Sequence, residues 1–139
     1  MAAIYTTYAV QQFMLEMKDG SGTIPTSYYL AAYTVLPSVS LTSGLGGTEV
    51  NSAVNTWYAR QAITLGSPSG RTQTQTNLIT FTNSAASAVS GAIVGCAVVD
   101  HLTAGNVWII LPGTTLITVG IGSQLIVPIG QMIMEFPAA

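Results

Sequence analysis

No apolar stretch in this chain runs far before a Gly, Pro, Ser, Thr, Asn or Gln interrupts it. That punctuation limits the folds open to the chain. A helix that crosses a bilayer needs about 18 or more uninterrupted apolar residues, and none is present. Short apolar runs parted by turn residues suit the strands of a sandwich instead. The breaks matter because the composition is otherwise apolar: 49% of residues are hydrophobic and the mean hydropathy is +0.52. A membrane β-barrel would also be built of short strands. No export signal is expected, because MAAIYTTYAV has neither a basic region nor a long apolar one.

The length, 139 residues, suits one domain with a core that needs no staples. At the N-terminus, Val10, Phe13, Met14 and Met17 follow the spacing of one helical face. Thr6 or Thr7 can cap the start, and Lys18 with Gly20 marks the end, which predicts a helix over 6–18 with its Met-rich stripe in the core. Asp19–Pro25 reads as a loop. Tyr28, Tyr29 and Tyr33 place a strand over 27–36, closed by Pro37. Residues 37–56 carry Gly44, Gly46 and Gly47 and few large side chains, and form an extended loop or arm. Such a segment is rarely idle, and reaching a neighbour is one use for it.

A β-rich core follows over 57–136. Its strands are expected over 57–65, 72–82, 92–99, 107–111, 116–119, 124–127 and 131–136, with 107–111 stopped by Pro112-Gly113. Residues 85–90 form a small-residue linker, and Gly91 and Gly95 serve strand packing. The fold class is mainly β, a β-sandwich or jelly-roll-like single domain over 1–139 with one short N-terminal helix. Several strands are apolar on both faces, so both faces must be covered, and a second subunit is the expected cover.

Charge is scarce. Only 6% of residues are Asp, Glu, Lys or Arg, against roughly 25% in an ordinary domain. Three cations cannot track a phosphate backbone, so nucleic acid is not an expected partner. Cys96 and His101 are single residues of their type, too few for a zinc site or a disulfide framework. Asp100-His101 lacks a nucleophile elbow, and adjacent strand residues face opposite ways. They are read as closing a strand and starting the turn to Gly105. No enzyme, metal or cofactor is expected.

The aromatic residues remain. They can line a carbohydrate site or serve as core and interface anchors, where aromatics are favoured and charges depleted. The residues selected as interface candidates are Tyr28, Tyr33, Leu45, Trp57, Tyr58, Arg60, Trp108, Met132, Met134 and Phe136. Arg60 stands beside Trp57 and Tyr58, where a planar paired contact suits it. An internal bridge to one of the five acids is the alternative.

From about residue 55 to 136 the chain resembles a family of small tailed-phage virion proteins, described as tail fibre or head decoration proteins. Tyr58-Ala59-Arg60-Gln61, Leu78-Ile79-Thr80-Phe81 and Val98-Val99-Asp100 carry the likeness. So do Gly105-Asn106-Val107-Trp108, Gly122-Ser123-Gln124-Leu125, Gly130, Met132 and Met134. Relatives commonly have Asp where Ser123 stands and carry more charge. The resemblance implies a β-rich, non-enzymatic virion subunit made in the host cytoplasm. A compact domain without repeats favours a capsid decoration (cement) protein on the capsid surface, a homo-oligomer with a trimer favoured, bridging major capsid protein subunits. The alternative is a tail fibre or tail-tip domain that binds host glycan. No nucleic acid or membrane is expected among its partners.

Overall fold

The computed structural model describes residues 3–84 and 92–135, in which ten strands and one helix are assigned. β1 (Ile4–Tyr5) leads directly into α1 (Thr7–Asp19). Thr6 caps the helix, its hydroxyl accepting from the Ala9 N–H at 3.2 Å. Gly20 ends it in the left-handed conformation at φ 69°, donating to the Glu16 carbonyl, a geometry that glycine adopts without a Cβ penalty. The boundaries match the sequence pattern closely, but the buried face does not. Ala9 is buried and Phe13 is packed against the core. Val10, Met14 and Met17 are 46%, 59% and 82% exposed. Of the expected core stripe, Phe13 alone packs inward and the other three residues face outward. Tyr8 and Phe13 turn the helix, because both rings meet Trp108 edge-on, at 5.5 and 5.6 Å.

β2 (Tyr28–Val35), β7 (Ile93–Val99) and β8 (Val107–Ile117) form the centre of an antiparallel sheet. Its order is β1-β8-β7-β2-β3, with β3 being Thr48–Glu49. β4 (Gln61–Ile63) pairs with Tyr28–Leu30, so β3 and β4 share the edge of β2 away from β7. Two ribbons complete the molecule. β5 (Thr72–Thr74) pairs with β10 (Ile133–Glu135), and β6 (Ile79–Thr82) with β9 (Gln124–Val127).

Alternation along β2 and β7 divides the interior in two. Leu30, Ala32, Cys96 and Val98 face Ile79, Phe81, Leu125 and Val127 of the β6–β9 ribbon, in a sandwich-like arrangement. Ala31, Tyr33, Ala97 and Val99 face the other way, where Leu36, Leu41 and Leu45 pack on them. The central strands are thus covered on both faces, as their composition requires. The second cover comes from the 36–45 segment of the same chain rather than from another subunit. That segment is also tied by backbone bonds: Thr7 and Tyr8 N–H donate to the Val39 and Leu41 carbonyls, and Val107 N–H to Gly44.

β8 departs from expectation by passing through Pro112-Gly113. Pro112 lies opposite Gly95, beside a register shift between Ile93 and Gly95. A Cβ on Gly95 would stand 2.6 Å from the Leu111 carbonyl. Absent side-chain bulk on one strand and an irregular ladder let the other carry a residue without an N–H. The segment expected as one strand over 57–65 is strand only at Gln61–Ile63, and 72–82 is split into β5 and β6. The 85–90 linker and Gly91 lie outside the described residues.

Candidate functional site

Arg60 immediately precedes β4 and is 7% exposed. Its Nε and Nη2 donate to the two oxygens of Glu49, at 2.9 and 2.7 Å. Nη1 donates to the His101 and Ala104 carbonyls at 2.6 and 2.7 Å. Tyr58 donates to Glu49 at 2.7 Å and accepts the Ala32 N–H at 3.0 Å. One guanidinium therefore joins β3, the approach to β4 and the 101–104 turn. Its bond to Glu49 holds it charged, and burial, with Glu49 beside it, raises the Tyr58 phenol. The arrangement is an internal bridge with its donors occupied, and it offers a ligand little.

Asp100 is committed in the same way. It accepts from the Asn106 backbone at 2.7 Å, the Asn106 side chain at 3.2 Å and Trp108 Nε1 at 3.0 Å. A Cβ on Gly105, at φ 93°, would collide with its Oδ1. His101 Nδ1 accepts from the Thr103 and Ala104 N–H groups. Asp100 and His101 thus end β7 and begin the turn to Gly105. Among the described residues no group of three or more His, Cys, Asp and Glu converges as a metal site would. Cys96 is buried, which pushes its thiol up to about 12 and leaves it protonated.

The candidate interface residues separate into two sets. Tyr33, Tyr58, Arg60, Trp108 and Met132 are buried within the subunit, so as the fold stands they have almost no surface to give a partner. Tyr28, Leu45, Trp57 and Met134 are half-buried. Leu45 packs on the second core, and Trp57 meets Tyr58 edge-on at 6.0 Å. Phe136 lies outside the described residues. The side chains that do offer apolar surface are others. Met14 and Met17 on α1, Leu116 near the end of β8, Ile126 on β9, and Ile121 and Ile129 in the flanking turns are all exposed.

One concavity gathers several aromatic residues. A cleft of about 340 Å³ opens between α1, the start of β2 and the β5–β10 ribbon. Tyr5, Phe13 and Tyr28 form walls, Trp108 the floor, and Arg71 and Met134 the ribbon side. Tyr28 and Trp108 are 6.1 Å apart and edge-on. Burial raises the Tyr5 and Tyr28 phenols, keeping both neutral. At the ribbon, Arg71 approaches Glu135 only to 4.0 Å, with both side chains half exposed. The aromatic character was legible in the sequence. The joining of residues 5, 13, 71 and 134 depends on long-range pairing that periodicity does not report. Glu49 as the partner of Arg60 was also missed. Its one signal is isolation, since no other charge stands between Asp19 and Arg60.

Residues 5–135 match the family model described as podophage GP4 fiber I protein gp80. The match spans nearly the whole chain, and the chain belongs to that family of phage fibre proteins. No curated protein matches it.

Proposed function

We propose that this chain is a non-catalytic building block of the virion fibre, joined to its neighbours through uncharged apolar surface. The observation that carries this reading is the outward stripe of α1. Val10, Met14 and Met17 stand exposed along a helix that docks on Trp108 through Tyr8 and Phe13. Exposed apolar surface at this spacing marks a contact site in a protein with little charge to keep it dispersed. The buried commitments of Arg60, Asp100 and Cys96 support the absence of chemistry. The partners are taken to be further copies of the chain, a trimer first among the assemblies, and other virion proteins.

A capsid cement protein bridging major capsid subunits is the second reading. One observation favours it: among the described residues no shaft-like element is present, the longest strand being the 11 residues of β8. Copy number in purified virions, measured by quantitative mass spectrometry with gold-labelled antibody to locate the protein, separates the two. A few copies confined to the tail support the fibre. Hundreds spread over the head would replace it with the cement role.

A further inference from the structure

We propose that copies of the chain join head to tail, with Met14 and Met17 of α1 in one subunit seated in a second cleft at the far end of β8 in the next. The contact takes the α1 stripe as assembly surface, the reading on which it rests, and supplies its counterpart. The cleft has a volume of about 200 Å³ and lies between the β7–β8 pair and β9. It originates in an uneven ladder. Between the pairs Gly95–Pro112 and Ile93–Ile117, residues 113–116 of β8 stand opposite Val94 alone. Such an excess bends the strand that carries it. Gly95 and Gly113, which line the space, bring no side chain to fill it.

Three observations point to a second copy as the occupant. First, the two surfaces match in chemistry. No charged residue lines the cleft, where Thr115 and Gln131 bring the polar side chains. No Asp, Glu, Lys or Arg stands between Asp100 and Glu135, so a charged group seated on these strands would go unpaired. Second, they match in form. Met14 and Met17 project from an exposed helix, and unbranched thioether chains fill irregular gaps. A cavity of about 150 Å³ takes a benzene ring, so the cleft has room for a methionine side chain. Ile117 and Ile126, both lining it and both exposed, extend the apolar rim. Third, one subunit cannot satisfy both. α1 docks on Trp108, where Val107 lies opposite Val99, whereas the cleft borders Ile93, opposite Ile117. From Val99 to Ile93 is about 20 Å at the rise of a strand. A protruding surface at one end and a receptive one at the other make a heterologous contact, which repeats into a closed ring or an open filament.

Sedimentation velocity on the full chain tests the pairing. Ile126→Lys puts a charge on the rim and Thr115→Trp fills the cleft, both at positions open to solvent. Each should weaken self-association by at least about tenfold, the usual effect of losing one buried apolar side chain. Met14→Lys with Met17→Lys should do the same from the other side. Far-UV circular dichroism should be unchanged, and either cleft variant serves if the other misfolds. The decisive sample is an equimolar mixture of the helix variant and Ile126→Lys. Each lacks one surface and keeps the other, so the mixture should form a dimer of one copy each and grow no further. A mixture that stays monomeric overturns the head-to-tail contact, because a helix-to-helix contact cannot be restored this way. Loss of association in the helix variant but in neither cleft variant also overturns it, and leaves the α1 stripe as contact surface with another counterpart. Association that the helix variant does not alter removes the stripe and the cleft together, as does a wild-type chain that is monomeric at every concentration. Lower stability in Thr115→Trp and Ile126→Lys with association intact would show that the cleft is filled from within the subunit, against the proposal.

Discussion

Arg60 shows what a scarce charge does when buried. Removing one partner of such a pair leaves the other unpaired in a poorly solvated place, typically costing about 3–5 kcal/mol. Arg60→Met should therefore lower the unfolding free energy by about that much in urea melts. Arg60→Met with Glu49→Gln should lose less than Arg60→Met alone, because the stranded carboxylate is gone. A double variant that loses more would mean that Glu49 matters more as the acceptor for Tyr58 than as a stranded charge. Ionisation gives a second residue-level expectation. Burial pushes Tyr33 up to about 12 from 10.0 and Cys96 up to about 12 from 9.0. Both are raised groups that are neutral in the fold, so their contribution is complete below the unfolded values and is lost as pH rises through the folded ones. Stability should hold flat through pH 8 and fall between about pH 9 and 12. The Cys96 thiol should ignore a disulfide reagent at pH 8 until denaturant is added. A native-state reaction as fast as that of free cysteine would contradict its burial.

At the scale of elements, α1 is the clearest case of a legible helix with an illegible orientation. Thr6, Lys18 and Gly20 declare its ends through local chemistry. Which side it buries depends on Trp108, about a hundred residues away, on Asp100, which accepts from that indole, and on Asn106, whose side chain donates to the Tyr8 hydroxyl. The same split applies to β8. Pro112-Gly113 is a sound local stop signal, and only Gly95 on the neighbouring strand lets the strand continue. The helix makes two separable predictions. Thr6→Ala removes the cap and the 2.7 Å bond to the Val107 carbonyl, and should cost about 1–2 kcal/mol. Met14→Lys with Met17→Lys alters exposed positions, and should change stability by no more than about 0.5 kcal/mol. The same pair should reduce self-association, measured by light scattering of the purified chain. Unaltered association would remove this stripe from the assembly surface.

For the whole molecule, the strand-rich class follows from short apolar runs between Gly and Pro breaks, and the sequence shows it plainly. The pairing order does not appear there, because β3 and β4 are too short to announce themselves and β1 has two residues. Scarcity of charge acts at this scale too. The ion pair between Lys18 and Asp19 and that between Arg71 and Glu135 are exposed, leaving the Arg60–Glu49 pair as the buried one among those found. Salt screens exposed pairs and leaves apolar contact intact. The protein should stay on virions through about 1 M NaCl, where the Debye length is about 3 Å. Release into the supernatant by salt alone would show that ion pairs hold it there.

The 36–45 segment closes one face of the sheet from within the chain. The chain is therefore expected to acquire its shape alone, before any encounter. Refolding of the subunit should be first order, with a rate that does not change on dilution. A first-order rate would make any assembly a later event with its own clock, set by how many finished copies the infected cell has accumulated.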